Sequence, residues 1–185
     1  MAEERVPGVM RRALAPGVAM ALLALLAGCA HDARTAGSRL DDQLIAWRTA
    51  GTLRADPVLR EQTHIAVTSV NGIVLVTGEA PTEPLRDQAI ARIATVSGIR
   101  QIHNEVRITA PASLAARSRD AWIGNQARAR IAATDGIHSR VQVVADNASV
   151  YLLGLVRQSE GSAATEAVTK VSGVERVVQL FEYLN

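Results

Sequence analysis

Cysteine occurs once in 185 residues, so the chain has no pair from which to close a disulfide on itself. Aromatic side chains make up only 3% of it: two tryptophans, two tyrosines and one phenylalanine. Single-strand binding uses stacking aromatics set among cations, and no such arrangement is present, so no nucleic-acid partner is expected. A net charge of +2 gives no electrostatic reason to expect one either. Long apolar runs are also missing. The longest, Ala13 to Ala27, is broken by Pro16 and Gly17, and a spanning helix needs roughly 20 apolar residues. Chemistry-bearing motifs are equally scarce. Ser113, Ser118 and Ser162 lie in no G-x-S-x-G context, and neither a G-x-G-x-x-G loop nor a P-loop occurs. His31, His64, His103 and His138 share no ligand spacing with one another or with Cys29, so no metal site is expected. Asp41-Asp42 reads as a helix-opening pair placed for the helix dipole rather than as paired catalytic carboxylates. No catalytic residue, cofactor or enzymatic activity is expected.

What is present begins at the N-terminus, with "MRRALAPGVAMALLALLAGCAHD" from Met10 to Asp32. Arg11 and Arg12 precede an apolar run of the length of a signal-peptide h-region, about 7–15 residues. Leu26-Ala27-Gly28-Cys29 then resembles the lipobox of bacterial lipoproteins. That resemblance implies cleavage after Gly28, a diacylglycerol on the Cys29 sulfur and an acyl chain on its new amino group. Residues 1–28 are read as the signal peptide, with Met10 as the true start because Glu3 and Glu4 are foreign to an n-region. Residues 29–39 are read as a lipidated tether. Ala30 stands where lipoproteins kept at the inner membrane carry Asp, so the resemblance implies the outer membrane.

The remainder repeats itself, which decides the fold. "VTSVNGIVLVTG", Val67 to Gly78, aligns with "VVADNASVYLLG", Val143 to Gly154, and "VSGIRQIHNEVRI" from Val96 aligns with "VSGVERVVQLFEY" from Val171. In copy one, Leu40 to Arg54 reads as a helix with Ile45, Thr49, Thr52 and Leu53 on one stripe, ended by Asp56-Pro57. His64–Val70 and Ile73–Thr77 read as strands joined by Asn71-Gly72, the strongest two-residue hairpin signal. Pro81 breaks the chain. Thr82 is placed to cap a helix carrying Leu85, Ala89, Ile93 and Val96, which Gly98 ends. Ile99–Thr109 is the last strand. Copy two has a helix over Arg119–Ala133 with Ile123, Ala127 and Ile131 inward, strands Val141–Ala145 and Ser149–Leu153, a helix over Ser159–Val171 closed by Gly173, and a strand over Val174–Leu184. Its Asn147-Ala148 turn is expected to be looser than Asn71-Gly72. Residues 110–118 read as a linker.

Two such α-β-β-α-β units, with "V-S-G-[IV]" after the second helix, resemble BON domains (bacterial OsmY and nodulation), and the tandem pair behind a lipobox resembles the dual-BON outer-membrane lipoproteins of Gram-negative bacteria. The resemblance implies an α+β fold in which each domain, 40–109 and 119–185, has a three-stranded mixed sheet packed on two helices. It also implies anionic-phospholipid binding through the first helix of the second domain, recruitment to division sites and a role in outer-membrane integrity.

The residues carry an independent indication. With Ile123, Ala127 and Ile131 inward, Trp122 lies about 140° from the centre of the buried stripe at 100° per residue. Asn125, Ala129, Ala132 and Ala133 share its side, and Arg119 and Arg128 flank it. Such a face suits a membrane interface, where indole rings collect; the other assignment is packing on the linker or on domain one. On the last strands, His103, Glu105 and Arg107 correspond to Val178, Leu180 and Glu182. The apolar pair suggests that this sheet face packs on domain one or on a partner. The expectation is a non-enzymatic protein anchored at the periplasmic face of the outer membrane, binding anionic phospholipid and supporting envelope integrity. The alternative is an adaptor that docks an envelope protein, with lipid contact incidental.

Overall fold

The computed structural model describes residues 36–137 and 140–184. Residues 1–28, read from the sequence as a signal peptide, lie outside the described residues, as do Cys29, His31 and His138. Both repeats belong to one compact unit, Ala33–Asn185.

The first repeat runs α1 (Ala36–Ala55), α2 (Pro57–Gln62), β1 (His64–Val70), β2 (Ile73–Ala80), α3 (Glu83–Ala94) and β3 (Gln101–Ile108). The second runs α4 (Leu114–Ala132), β4 (Val141–Asp146), β5 (Ser149–Val156), α5 (Gln158–Thr169) and β6 (Arg176–Tyr183). Each sheet has its middle strand paired antiparallel on one side and parallel on the other, in the orders β1-β2-β3 and β4-β5-β6. The parallel pairing follows from α3 and α5, because parallel neighbours need a crossover connection.

Alternation along the central strands sorts the core into three parts. Val74, Val76 and Ala80 of β2 pack with Ile45, Leu53, Ala89 and Ile93 of the helices. Val150, Leu152 and Val156 of β5 do the same with Ile123, Ala127, Ile131, Ala164 and Val168. The residues between them point the other way. Val70 and Leu75 of the first sheet meet Tyr151 and Leu153 of the second, with Val144, Val178 and Leu180 alongside. The two sheets therefore join through the faces their helices leave bare, and the Val178–Leu180 face packs on domain one.

A polar rim surrounds that seam. Glu105 accepts from the Tyr151 hydroxyl at 3.2 Å and pairs with Arg176 at 2.9 Å, and Arg100 pairs with Glu182 at 2.8 Å. Burial, with Glu105 nearby, pushes the Tyr151 phenol up to about 12. Glu79 is only 1% exposed and pairs with Arg107, whose Nε lies 4.0 Å from Asp146. Burial first, then the charge of Glu79, raises the Asp146 carboxyl above its ordinary value. A raised carboxylate favours folding in its protonated form, so its cost is fully present above the folded pKa and is relieved as pH falls through it. Asp146→Asn is therefore expected to raise the melting temperature at pH 7 and to leave it nearly unchanged near pH 3. Thermal unfolding at the two pH values checks this.

Several local expectations are corrected. The Asn147-Ala148 turn is not looser: both residues have positive φ, 47° and 57°, as Asn71 and Gly72 do at 53° and 75°. The reason is external to the dipeptide. Asp120 of α4 accepts from the Ala148 N–H at 2.9 Å, and the Ala148 carbonyl accepts from Glu175 N–H at 2.9 Å. Helix α4 begins at Leu114, not Arg119, because Ser113 caps it by accepting from Ala116 N–H at 3.2 Å. Residues 114–118, read as linker, are helix. Thr82 occupies the N-cap of α3 but its side chain makes no capping bond. Asp56 does not simply end α1. It caps α2 by accepting from the Val58 and Leu59 N–H groups, with Pro57 at the favoured first position. Those backbone bonds, Leu59 first, hold its carboxyl below the ordinary value, with Arg92 at 2.8 Å adding to them.

The largest correction concerns Asp42. Helix α1 starts well before it, so it is not a helix-opening acid. It is buried and clamps the first hairpin, accepting from the Ser69 hydroxyl at 2.7 Å, Asn71 N–H at 2.7 Å and Gly72 N–H at 2.9 Å.

Candidate membrane-facing helix

Helix α4 carries the residues singled out from the sequence. Its inward stripe is as expected: Ile123, Ala127 and Ile131 are buried in the second core. Ile123 is set by close packing, because a Cβ on Gly173 would lie 3.3 Å from its Cδ1. Gly124 lets the helix approach β4, where a Cβ would lie 3.3 Å from that of Ala145.

The opposite side faces solvent. Trp122 is 49% exposed, and it joins none of the apolar clusters among the described residues. Asn125, Arg128, Ala129, Ala132 and Ala133 are all exposed as well. The helix ends at Ala132, and Ala133 is the C-cap residue just beyond it, its N–H donating to the Ala129 and Ile131 carbonyls. Arg128 is held in place: Nη1 donates to the Val143 carbonyl at 3.2 Å and Nη2 to Asn125 Oδ1 at 2.8 Å. A guanidinium has five N–H donors, so two such bonds leave donors for an incoming acceptor. Arg117, Arg119 and Arg130 are also exposed on this helix. Asp120, its one carboxylate, is turned to the Ala148 turn. The outward face thus combines one indole, small side chains and cations.

Sequence reasoning missed the corresponding face of α1. Ile45 and Ile123 hold equivalent places, each beside a positive-φ glycine of its own repeat, Gly98 or Gly173. Counting from them, Leu44 corresponds to Trp122 and Trp47 to Asn125. The signal was available: Trp47 falls outside the Ile45–Thr49–Leu53 stripe.

No group of His, Cys, Asp and Glu among the described residues could hold a metal ion. Among them, no helix is long and apolar enough to cross a membrane.

The family model described as "BON domain" matches twice, over residues 41–110 and 119–185. The chain is 32% identical over 168 residues to a Haemophilus influenzae protein named "Outer membrane lipoprotein DolP", covering 88% of this chain and 84% of that one. It is 31% identical over 154 residues to a "21 kDa hemolysin" of Actinobacillus pleuropneumoniae, covering 83% of this chain and 79% of that one. Among solved structures, the C-terminal domain of CdsD, a structural protein of the Type III secretion system of Chlamydia trachomatis, covers 74% of this chain and 96% of its own at 8% identity and a TM-score of 0.33.

Proposed function

The chain belongs to the BON-domain family, as a dual-BON protein similar to outer-membrane lipoproteins, and on that premise we propose that it is a lipid-anchored periplasmic protein that binds anionic phospholipid and supports outer-membrane integrity. Cys29, with its diacylglycerol and N-acyl chain, is the anchor in this reading. Trp122, Asn125, Arg128, Ala129, Ala132 and Ala133 form the lipid-contacting face. The role is binding rather than catalysis.

The observation that carries the reading is the composition of the outward side of α4. A half-exposed indole sits beside small residues on a helix whose exposed charges are arginines. Tryptophan collects at the membrane–water interface, and guanidinium pairs with phosphate through two parallel hydrogen bonds.

Magnitudes divide the labour. Each buried acyl CH₂ contributes about 0.8 kcal/mol, and two chains already anchor stably. Attachment therefore does not need Trp122, whose face selects among lipids. Trp122→Glu replaces an interfacial anchor with a charge that anionic headgroups repel. In a chain lacking Cys29, it is expected to weaken binding to anionic vesicles by about tenfold or more, as loss of roughly 1.4 kcal/mol would. Unchanged vesicle affinity with retained folding would overturn the assignment of this face. In the lipidated chain the same variant is expected to stay on the membrane, held by the Cys29 acyl chains.

A further inference from the structure

Helix α1 presents a more apolar outward face than α4 does. Leu40 is 61% exposed, Leu44 46% and Trp47 72%. They stand at i, i+4 and i+7, so they form one ridge. Gly51 extends it as a shelf, since a Cβ there would meet nothing within 4 Å. At 100° per residue the ridge lies about 170° from the centre of the buried Ile45–Thr49–Leu53 stripe. It points away from its own domain. Exposed Arg48 and Arg54 border it on opposite sides. In domain two the same positions hold Ser118, Trp122 and Asn125, so domain one shows three large apolar side chains where domain two shows one.

We propose that the Leu40–Leu44–Trp47 ridge is a second membrane-contacting face, which lies on the phospholipid surface that holds the Cys29 acyl chains. The inference rests on the lipid anchor of the proposed function. Its main support is the length of chain between them. Six residues, Ala30 to Thr35, lie between Cys29 and Ala36, and the seven steps reach at most about 25 Å when fully extended. Leu40 and Trp47 follow within about 17 Å along the helix axis. The anchor therefore keeps the ridge close to the bilayer at high effective concentration. The chemistry matches that occupant: leucines for the acyl boundary, an indole for the headgroup level and bordering guanidiniums for phosphate. Because the acyl chains already secure attachment, the ridge sets how domain one lies on the membrane.

The two tryptophans allow a direct test. The mature lipidated chain carrying Trp122→Phe has Trp47 as its only indole. It is reconstituted into phosphatidylethanolamine–phosphatidylglycerol vesicles with and without brominated acyl chains, and co-flotation is recorded alongside fluorescence. The expected result is co-flotation, blue-shifted Trp47 emission, loss of most of that emission to bromolipid, and protection from aqueous acrylamide. Co-flotation with Trp47 emission at the water-exposed wavelength and full acrylamide quenching overturns the ridge contact and leaves the anchor standing. Protection from acrylamide without bromolipid quenching also overturns it, by showing a protein segment or a second copy on the ridge. Failure to co-float overturns the anchor, and the ridge contact with it. The Trp47→Phe chain reports Trp122 in the same vesicles, so the α4 reading succeeds or fails separately.

Discussion

Gly78→Ala is expected to destabilise the chain by about 3 kcal/mol or more, a fall of roughly 10 °C in Tm. Two costs combine. The residue has φ +110°, which side chains with a Cβ rarely adopt, and an added Cβ would lie 1.9 Å from the His64 carbonyl oxygen. That oxygen is backbone in the paired strand, so relief requires β1 and β2 to separate. The equivalent Gly154 meets the Arg140 carbonyl oxygen at 2.1 Å but has no positive φ, so Gly154→Ala carries the collision alone and should cost less than Gly78→Ala. Gly51→Ala is the control. It is a helix-interior glycine with open space around it, and alanine there should stabilise by about 0.5–1 kcal/mol. Thermal or urea unfolding of the three variants separates backbone collision from the generic effect of replacing glycine.

Asp42→Ala has the second-largest expected effect on stability, a loss of about 3 kcal/mol. Three donors converge on the buried carboxylate, two of them backbone N–H groups of the hairpin turn. Removing it strands those donors and loosens the tie between α1 and the first sheet. Asp42→Asn keeps an acceptor and should lose less. Asp120→Ala removes a single bond to the matching turn, 2.9 Å from Ala148 N–H, and should cost nearer 1 kcal/mol. Hydrogen exchange at the Asn71 and Gly72 amides in Asp42→Ala gives a local readout. Unchanged protection there would refute the clamp.

Both hairpins show where sequence was readable and where it was not. Asn71-Gly72 signals its turn by itself, because both residues tolerate positive φ. Asn147-Ala148 does not, since the conformation of Ala148 is imposed by bonds to Asp120 and Glu175. The same blindness hid the role of Asp42: its partners are 27 to 30 residues away, and local spacing could suggest only a helix start. Some misses were avoidable. Asp56-Pro57 is a helix-start signal as well as a stop, and Ser113 is a cap residue inside the stretch read as linker. Periodicity did reach the third dimension in two places. It placed Trp122 outward, and it marked Val178 and Leu180 as apolar on a sheet face that helices could not cover. The Leu40–Leu44–Trp47 ridge lies on the side of α1 opposite the buried stripe, where core periodicity carries no signal.

The central claim is that α4 reads anionic lipid independently of the anchor. The most direct measurement is flotation of the chain from Arg34 onward, without Cys29, on neutral and on anionic vesicles at low and high salt. The account predicts flotation on anionic vesicles only, weakened by salt and abolished by Trp122→Glu. Equal flotation on both lipids would contradict anionic selectivity. Absence from every vesicle fraction would mean that membrane contact comes from Cys29 alone.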